Sequence, residues 1–265
     1  MYLGLDVGGT HTDAVIIDKS GVVAHTKVVT TPHNLLECIS QAFKNILTGI
    51  DPSHIKRVNL STTLTTNAII ENKCEEVGVL VSGGPGINPA LYSMGNHYYV
   101  IDGQIDHRGT EITLLNLNQL EKATKKCRKK GIKAFAVVSK FSTRNPVHEQ
   151  YIQQKLDDAD FISVGHTLSG NLNFPRRIAT AYYNAAVWRL YNKFSYAIEE
   201  VLRELGVIAP VNILKADGGT IPLHVSRTIP VESILSGPAA SVIGTMALCN
   251  ITEDAVMLDI GGTSC

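Results

Sequence analysis

The chain carries one short motif near both ends, an aspartate followed by a paired-glycine turn. Residues 5–13 read Leu-Asp-Val-Gly-Gly-Thr-His-Thr-Asp, and residues 258–264 read Leu-Asp-Ile-Gly-Gly-Thr-Ser. An apolar, β-branched run precedes each copy, which predicts a strand that ends in a glycine turn. Successive N–H groups in such a turn can form a concave anion site, and glycine lets a ligand approach the backbone closely. A carboxylate beside that turn would repel phosphate, so we expect it to position a cation or a water.

The repeat predicts two anion sites, each with an acidic residue beside it. Asp6 and Asp259 are 253 positions apart, which is too long for a solenoid period and favours two related lobes whose turns face each other. Asp6, Asp13 and Asp259 are the candidate catalytic residues, and Asp6 and Asp259 are also the candidate metal ligands. A solvated hairpin position explains Asp13 equally well. The residues expected to contact phosphate are Gly8, Gly9, Thr10, Thr12, Gly261, Gly262 and Thr263.

Two further segments have residue types that could bind an anion. Thr62, Thr63 and Asn67 follow a predicted buried strand, where threonine and asparagine commonly cap a helix. The functional alternative is a set of neutral donors directed at a phosphoryl group or a substrate carbonyl. Gly218 and Gly219 follow another strand and could form a third anion-binding turn, although a plain Asp-Gly turn explains them equally well.

The composition of the 265 residues argues against several classes of protein. The 24 basic residues balance the 24 acidic ones, so no global field favours nucleic acid or a membrane surface. No apolar run approaches the ~18 residues of a membrane span. Five scattered cysteines without a C-x-x-C pair indicate reduced thiols in a cytoplasmic protein. There is no G-x-S-x-G elbow, and no pair of histidines has metal-ligand spacing.

Hydrophobic periodicity predicts an α/β fold in which strands and helices alternate. Residues 82–111, rich in Gly, Pro and Asn, are predicted to be a loop-dominated insertion. The predicted strands are 2–7, 12–18, 22–29, 58–61, 77–81, 132–139, 161–164, 211–214 and 255–260. The predicted helices begin near residues 34, 118, 146, 174 and 238.

These motifs resemble the two phosphate loops of the actin-like ATPase superfamily, and in particular the ATP-dependent hydantoinase/oxoprolinase family. The order of the elements is likewise that of a ribonuclease-H-like lobe, a mixed sheet with flanking helices. The segments that carry the resemblance span the chain in the family's order and are Asp6–Asp13, Thr62–Ala68, Asn145–Glu149, Ser236–Gly244 and Asp259–Ser264. Ser236–Gly244 resembles the small-residue helix that precedes the second loop.

The resemblance implies an enzyme that uses ATP and Mg²⁺. Family members open a cyclic amide such as 5-oxoproline or a hydantoin by phosphoryl activation of its carbonyl, and sister members carboxylate a ketone. A second hydantoinase-type subunit often completes the reaction. Two alternatives stay open: a small-molecule kinase of actin-like fold, and a non-catalytic nucleotide switch or reactivating factor.

Family members are much longer than this chain, so the resemblance predicts that the second lobe is truncated. The expected domains are residues 1–172 as the N-terminal ATPase lobe, 173–250 as the helix, strand and connecting helix that complete it, and 251–265 as the first strand and phosphate turn of the second lobe. On this interpretation, the chain alone would be inactive.

Overall fold

The strands of the chain lie in two main sheets and one small hairpin. The structure is a computed structural model that describes residues 1–31, 34–249 and 251–260. The strands are β1 (Tyr2–Val7), β2 (His11–Asp18), β3 (Gly21–Val29), β4 (Arg57–Thr62), β5 (Val77–Ser82), β6 (His97–Val100), β7 (Gln104–Ile105), β8 (Glu111–Thr113), β9 (Ala134–Ser139), β10 (Phe161–Val164), β11 (Val211–Leu214) and β12 (Thr220–Pro222).

Helices connect most of these strands, which confirms the predicted α/β class. Short 3₁₀ turns occur at Pro52–His54, Pro89–Tyr92 and Pro230–Ser233. The α-helices are α1 (Leu35–Ile46), α2 (Leu64–Ile70), α3 (Leu117–Lys129), α4 (Val147–Gln154), α5 (Gly165–Leu168), α6 (Phe174–Glu204), α7 (Leu223–Ser226) and α8 (Ser236–Leu248).

The chain divides into two units, and the first is built from both ends of the sequence. Unit 1 comprises Met1–Lys73 and the chain from Leu190 onward, and unit 2 comprises Cys74–Arg189. These boundaries differ from the segments 1–172, 173–250 and 251–265 expected from the sequence. The reason is that β11 returns to the N-terminal sheet and pairs in parallel with β4. The assignment of residues 251–265 to a second lobe stays a prediction.

Unit 1 contains a six-stranded mixed sheet with the order β12-β11-β4-β1-β2-β3. Strand β1 runs antiparallel to β2 and parallel to β4. Alternate residues of these strands, including Leu3, Leu5 and Leu60, are buried on one face, where they pack against α1 and the part of α6 that follows Leu190. The intervening residues of β1, β2 and β3 are only partly buried or exposed, so the opposite face is free to carry polar groups.

Unit 2 contains a four-stranded sheet with the order β10-β9-β5-β6, and every neighbouring pair is parallel. Every residue of β5 and β9 is buried, as expected for a parallel sheet that is covered on both faces. Val79 packs in one apolar cluster with the first part of α6, and Phe135 packs in another with α3. The predicted insertion, residues 82–111, supplies β6 to this sheet.

Residues 255–260 were predicted to be a strand, and this prediction is wrong for the described chain. They have no regular secondary structure, and the side chains of Val256, Leu258 and Ile260 are largely exposed. A strand needs a neighbour to accept and donate its backbone hydrogen bonds. No described strand pairs with this segment, so its apolar sequence alone does not produce one.

Candidate functional site

The polar face of the unit 1 sheet brings two of the candidate acidic residues together. Asp6 on β1 lies directly opposite Asp13 on β2 and opposite Ser61 on β4. The Ser61 hydroxyl donates a hydrogen bond to Asp6 Oδ1. Asp13 Oδ1 lies 3.1 Å from Lys27 Nζ on β3. The four strands thus place two carboxylates, a hydroxyl and an ammonium on one surface.

The environment of Asp6 favours its protonated form. Burial is the main cause that raises the pKa of the Asp6 carboxyl above its ordinary value, and the nearby carboxylates of Asp13 and Asp259 raise it further. The hydrogen bond from Ser61 and the positive charge of Lys27 act in the opposite direction. A cation near Asp6 would therefore relieve an unfavourable concentration of negative charge.

Asp259 joins this group through helix α8. Its Oδ2 accepts a hydrogen bond of 2.6 Å from Ser241 Oγ. Ala240, the preceding residue of α8, lines a cavity of about 610 Å³ together with Asp6 and Asp13. The structure therefore gathers all three candidate catalytic residues within unit 1.

The first glycine turn opens onto a different cavity. Gly8 N donates a 3.0 Å hydrogen bond to His11 O, and a Cβ at Gly8 would lie 2.9 Å from that oxygen. Gly8 is thus required for close backbone approach, and its φ is not in the positive region that favours glycine. The turn, with Gly9, Thr63 and Asn67, lines a cavity of about 350 Å³.

Of the predicted threonines, Thr63 lines this cavity, whereas Thr12 and Thr62 are buried in the interior of unit 1. Thr63 Oγ1 accepts a 3.2 Å hydrogen bond from Asn67 Nδ2 at the cavity wall. Thr12 is fully buried, with its hydroxyl 2.9 Å from that of Thr30. Thr62 is also fully buried, and its hydroxyl accepts from Leu64 N at 3.1 Å.

Thr10 and the third predicted turn lie elsewhere. Thr10 is exposed, with its hydroxyl 3.3 Å from His11 Nδ1. Gly218 and Gly219 form the hairpin turn between β11 and β12, where Gly218 N donates to Lys215 O and Gly219 N to Asp217 Oδ1. Both N–H groups are used within the turn, so its geometry favours the plain Asp-Gly alternative. Gly261, Gly262 and Thr263 lie outside the described residues.

Three residues of this region were given no role in the site from the sequence, although Ser236 lies in a segment that carries the family resemblance. Ser61 and Lys27 could have been found from strand register, because they are the direct partners of Asp6 and Asp13. Ser236 is fully buried at the start of α8, where its hydroxyl donates to Thr62 O at 3.1 Å and accepts from Thr62 N at 3.3 Å. No local sequence signal indicates this long-range contact.

The carboxylate oxygens of this region suit a cation that keeps part of its water shell. In the part of the chain that the structure describes, no group of three or more His, Cys, Asp or Glu side chains could enclose a metal. Mg²⁺ is typically held by one or two carboxylates together with waters and substrate phosphates. Asp6 and Asp259 fit that requirement, since both offer hard oxygen donors at a site with excess negative charge.

The mixed sheet with flanking helices has the actin-like ATPase fold. The nucleotide-free structure of an acetone carboxylase superposes with a TM-score of 0.79 at 18% identity, covering 94% of this chain and 40% of that one. The profile for the hydantoinase/oxoprolinase N-terminal region matches residues 2–159, and the hydantoinase/oxoprolinase profile matches residues 177–265. The chain therefore belongs to the hydantoinase/oxoprolinase family, as the sequence resemblance indicated.

Two comparisons point to one relative in Pseudomonas jessenii. Caprolactamase subunit alpha of that organism is 27% identical over 295 residues, covering 99% of this chain and 42% of its own length. The crystal structure of the ATP-dependent caprolactamase from the same organism superposes with a TM-score of 0.77 at 26% identity, covering 94% of this chain and 41% of that one. The chain thus spans about two fifths of the length of this relative.

Among the described residues, no helix is both long enough and apolar enough to cross a membrane.

Proposed function

We propose that this chain is the N-terminal, ATP-binding part of an ATP-dependent hydrolase that opens a cyclic amide of the hydantoin or 5-oxoproline type. The observation that carries the proposal is the position of Asp6. Its half-buried carboxylate lies two residues before the Gly8–Gly9 turn, with Asp13 opposite it and the charge of Asp259 nearby. An acidic group beside a glycine turn suits a metal-bound triphosphate, because it can hold the cation while the N–H groups of the turn donate hydrogen bonds to the phosphate oxygens.

The proposed reaction converts ATP, a cyclic amide and water into ADP, phosphate and the ring-opened amino acid. ATP would supply the activation, since transfer of its terminal phosphoryl group to the amide oxygen makes the carbonyl carbon more electrophilic. The protein's part is positioning and charge neutralisation. Asp6 and Asp259 would hold Mg²⁺, and the Gly9 backbone with Thr10 would orient the phosphates. Gly8, whose N–H donates to His11 O, would shape the turn.

Thr63 and Asn67 would supply neutral donors at the wall of the smaller cavity, beside the same glycine turn. Neutral donors suit an uncharged amide carbonyl, because they stabilise negative charge that develops on its oxygen without competing for the metal. A second hydantoinase-type subunit would complete the reaction. The name of the related caprolactamase subunit supports a multi-subunit assembly.

Substrate-dependent ATP turnover by the complete enzyme that contains this chain tests the proposal. We expect ADP release to rise with 5-oxoproline, a hydantoin or a lactam and not with a sugar. A rise with a sugar alone would support a small-molecule kinase, and a rise with a protein client alone would support a nucleotide switch. Either result would overturn the cyclic-amide assignment.

A further inference from the structure

The sheet of unit 2 has its own topological switch point. From β5 the chain passes to β6 on one side, and it later returns through α3 to β9 on the other side of β5 before it continues to β10. In open parallel sheets, ligands bind outside the carboxyl ends of the strands where the strand order reverses in this way. The corresponding place here is the pair of loops that follow β5 and β9.

The loop after β5 has backbone donors without acceptors. It reads Gly83-Gly84-Pro85-Gly86, and Gly84 and Gly86 have φ values of +62° and +75°. The N–H groups of Gly83, Gly84 and Gly86 donate to no acceptor among the described residues, although Gly83 is buried. Buried backbone N–H groups are almost always satisfied, so such a group points to a missing acceptor.

The loop after β9 adds a cation and a hydroxyl. Lys140 Nζ donates to Pro85 O, and an ammonium has two further donors to offer. Lys140 forms no ion pair with a carboxylate in the described chain. Ser139, which lies opposite Ser82 in the ladder, is buried, and its hydroxyl has no hydrogen-bond partner among the described atoms.

Two buried residues of opposite charge, Glu149 and Arg177, fix the backbone of the loop after β9. Glu149 is fully buried and accepts hydrogen bonds from Ser139 N at 2.6 Å, His166 N at 2.9 Å and His166 Nδ1 at 2.6 Å. Arg177, also buried, donates to the carbonyl oxygens of Ser139, at 2.7 Å, and Lys140. Since Glu149 and Arg177 have opposite charges, Lys140 is left as the unbalanced positive charge.

We propose that the carboxyl edge of the unit 2 sheet binds a phosphate-sized oxyanion, held by the N–H groups of the Gly83–Gly86 loop, the Lys140 ammonium and the Ser139 hydroxyl. The site goes beyond the proposed function, because none of these residues belongs to the Asp6 region of unit 1. Converging N–H groups and one cation are the usual components of a phosphate site. Glu149 is a positioning residue here, since it fixes the backbone of Ser139 and all its observed hydrogen bonds are to Ser139 and His166.

Residue-resolved NMR of the 265-residue chain tests this site directly. Inorganic phosphate is titrated at constant ionic strength, with acetate as a second arm. We expect the amide resonances of Gly83, Gly84 and Gly86 to shift saturably with phosphate and more weakly with acetate, because acetate carries less charge. The absence of a saturable shift at these amides would overturn the site, and equal affinity for acetate would overturn the phosphate class.

Two lysine variants distinguish specific phosphate binding at this site from a general effect of lowering the positive charge. Lys140 lies 4.8 Å over the Phe141 ring, and Lys155 lies 5.3 Å over the Tyr151 ring at the end of α4. Lys140→Gln should weaken phosphate binding by about tenfold or more, as expected for the loss of a charge-assisted hydrogen bond. Lys155→Gln should change it less than twofold. Equal effects of the two variants would overturn the role of Lys140.

Discussion

The two sheets of this chain place polar groups in different positions. In unit 1, alternate residues of β1 and β2 are buried, so one face packs and the other carries Asp6 and Asp13. In unit 2, every residue of β5 and β9 is buried. Functional groups can therefore lie on the face of the first sheet, but only at the strand ends of the second.

This difference follows from strand direction. An antiparallel meander such as β1-β2-β3 needs core on one side only, whereas parallel strands are normally covered on both faces. Strand alternation thus indicates the site proposed for unit 1. The loops that follow the strands indicate the site proposed for unit 2.

The largest effect is expected at the polar face of unit 1. Asp6→Asn in the complete enzyme should lower the rate of ATP turnover roughly a hundredfold or more. This corresponds to a loss of about 3 kcal/mol of transition-state stabilisation. The amide is nearly isosteric but carries no charge for a metal. Asp18→Asn, an exposed change at the end of β2, is the matched control and should leave steady-state turnover unchanged. Comparable turnover of the Asp6 variant and the unmodified enzyme would remove Asp6 from the mechanism.

A pair of valine variants tests the contrast in burial. Val79→Thr on β5 buries a hydroxyl at a fully buried position and should reduce the free energy of unfolding by about 1–3 kcal/mol. Val15→Thr on the polar face of unit 1 should cost less than about 1 kcal/mol, because that side chain is only partly buried. Urea denaturation measures both. Equal losses would mean that the face of unit 1 is as closely packed as the interior of unit 2.

A second pair of variants compares a buried and an exposed contact of α8 in unit 1. Ser236→Ala removes a buried hydroxyl that bonds both backbone groups of Thr62, and should cost about 1–3 kcal/mol of unfolding free energy. Ser241→Ala removes an exposed contact to Asp259 and should cost about 0.5 kcal/mol or less. Thermal denaturation that ranks the two variants in the opposite order would show that Ser236 is not the anchor.

The smallest effect concerns pH. The folded-state pKa of Asp6 is raised above its ordinary value of 3.8, so its contribution to stability is fully present below that value and is lost as the pH rises through the folded-state pKa. Asp6→Asn should therefore stabilise the chain at pH 7, and its advantage should shrink toward pH 4. Urea denaturation at several pH values measures this. An advantage that is independent of pH would contradict a raised pKa.

The sequence predicted single elements better than their assembly. The strands at residues 2–7, 161–164 and 211–214 match the structure because short β-branched runs bounded by turns are local signals. The return of β11 to β4 joins distant residues, so no local pattern indicated the boundaries of unit 1. The exposed segment 255–260 has the same local signal as a strand but has no described partner to pair with.

Strand alternation also explains which candidate residues reach the site. Neighbours in a strand point to opposite faces, so Asp13 and Thr12 could not both belong to one surface. The structure places Asp13 on the polar face and buries Thr12 in the interior. Likewise, Ser61 contacts Asp6 while Thr62 is fully buried. Residue type marked Asp13, Thr12 and Thr62 as candidates and overlooked Ser61, and only the strand register shows which of them share the polar face.

The pairing of β4 with β11 has a consequence for synthesis on the ribosome. Val58 and Val211 are partners 153 positions apart, so translation must pass β11 before the sheet of unit 1 can close. At about 5–20 residues per second, the strands β1–β4 would wait roughly 8–30 seconds without that neighbour. Unit 2 is a continuous segment and can fold during this interval. The exposed edge of β4 is therefore the place where a nascent chain would most need protection from aggregation.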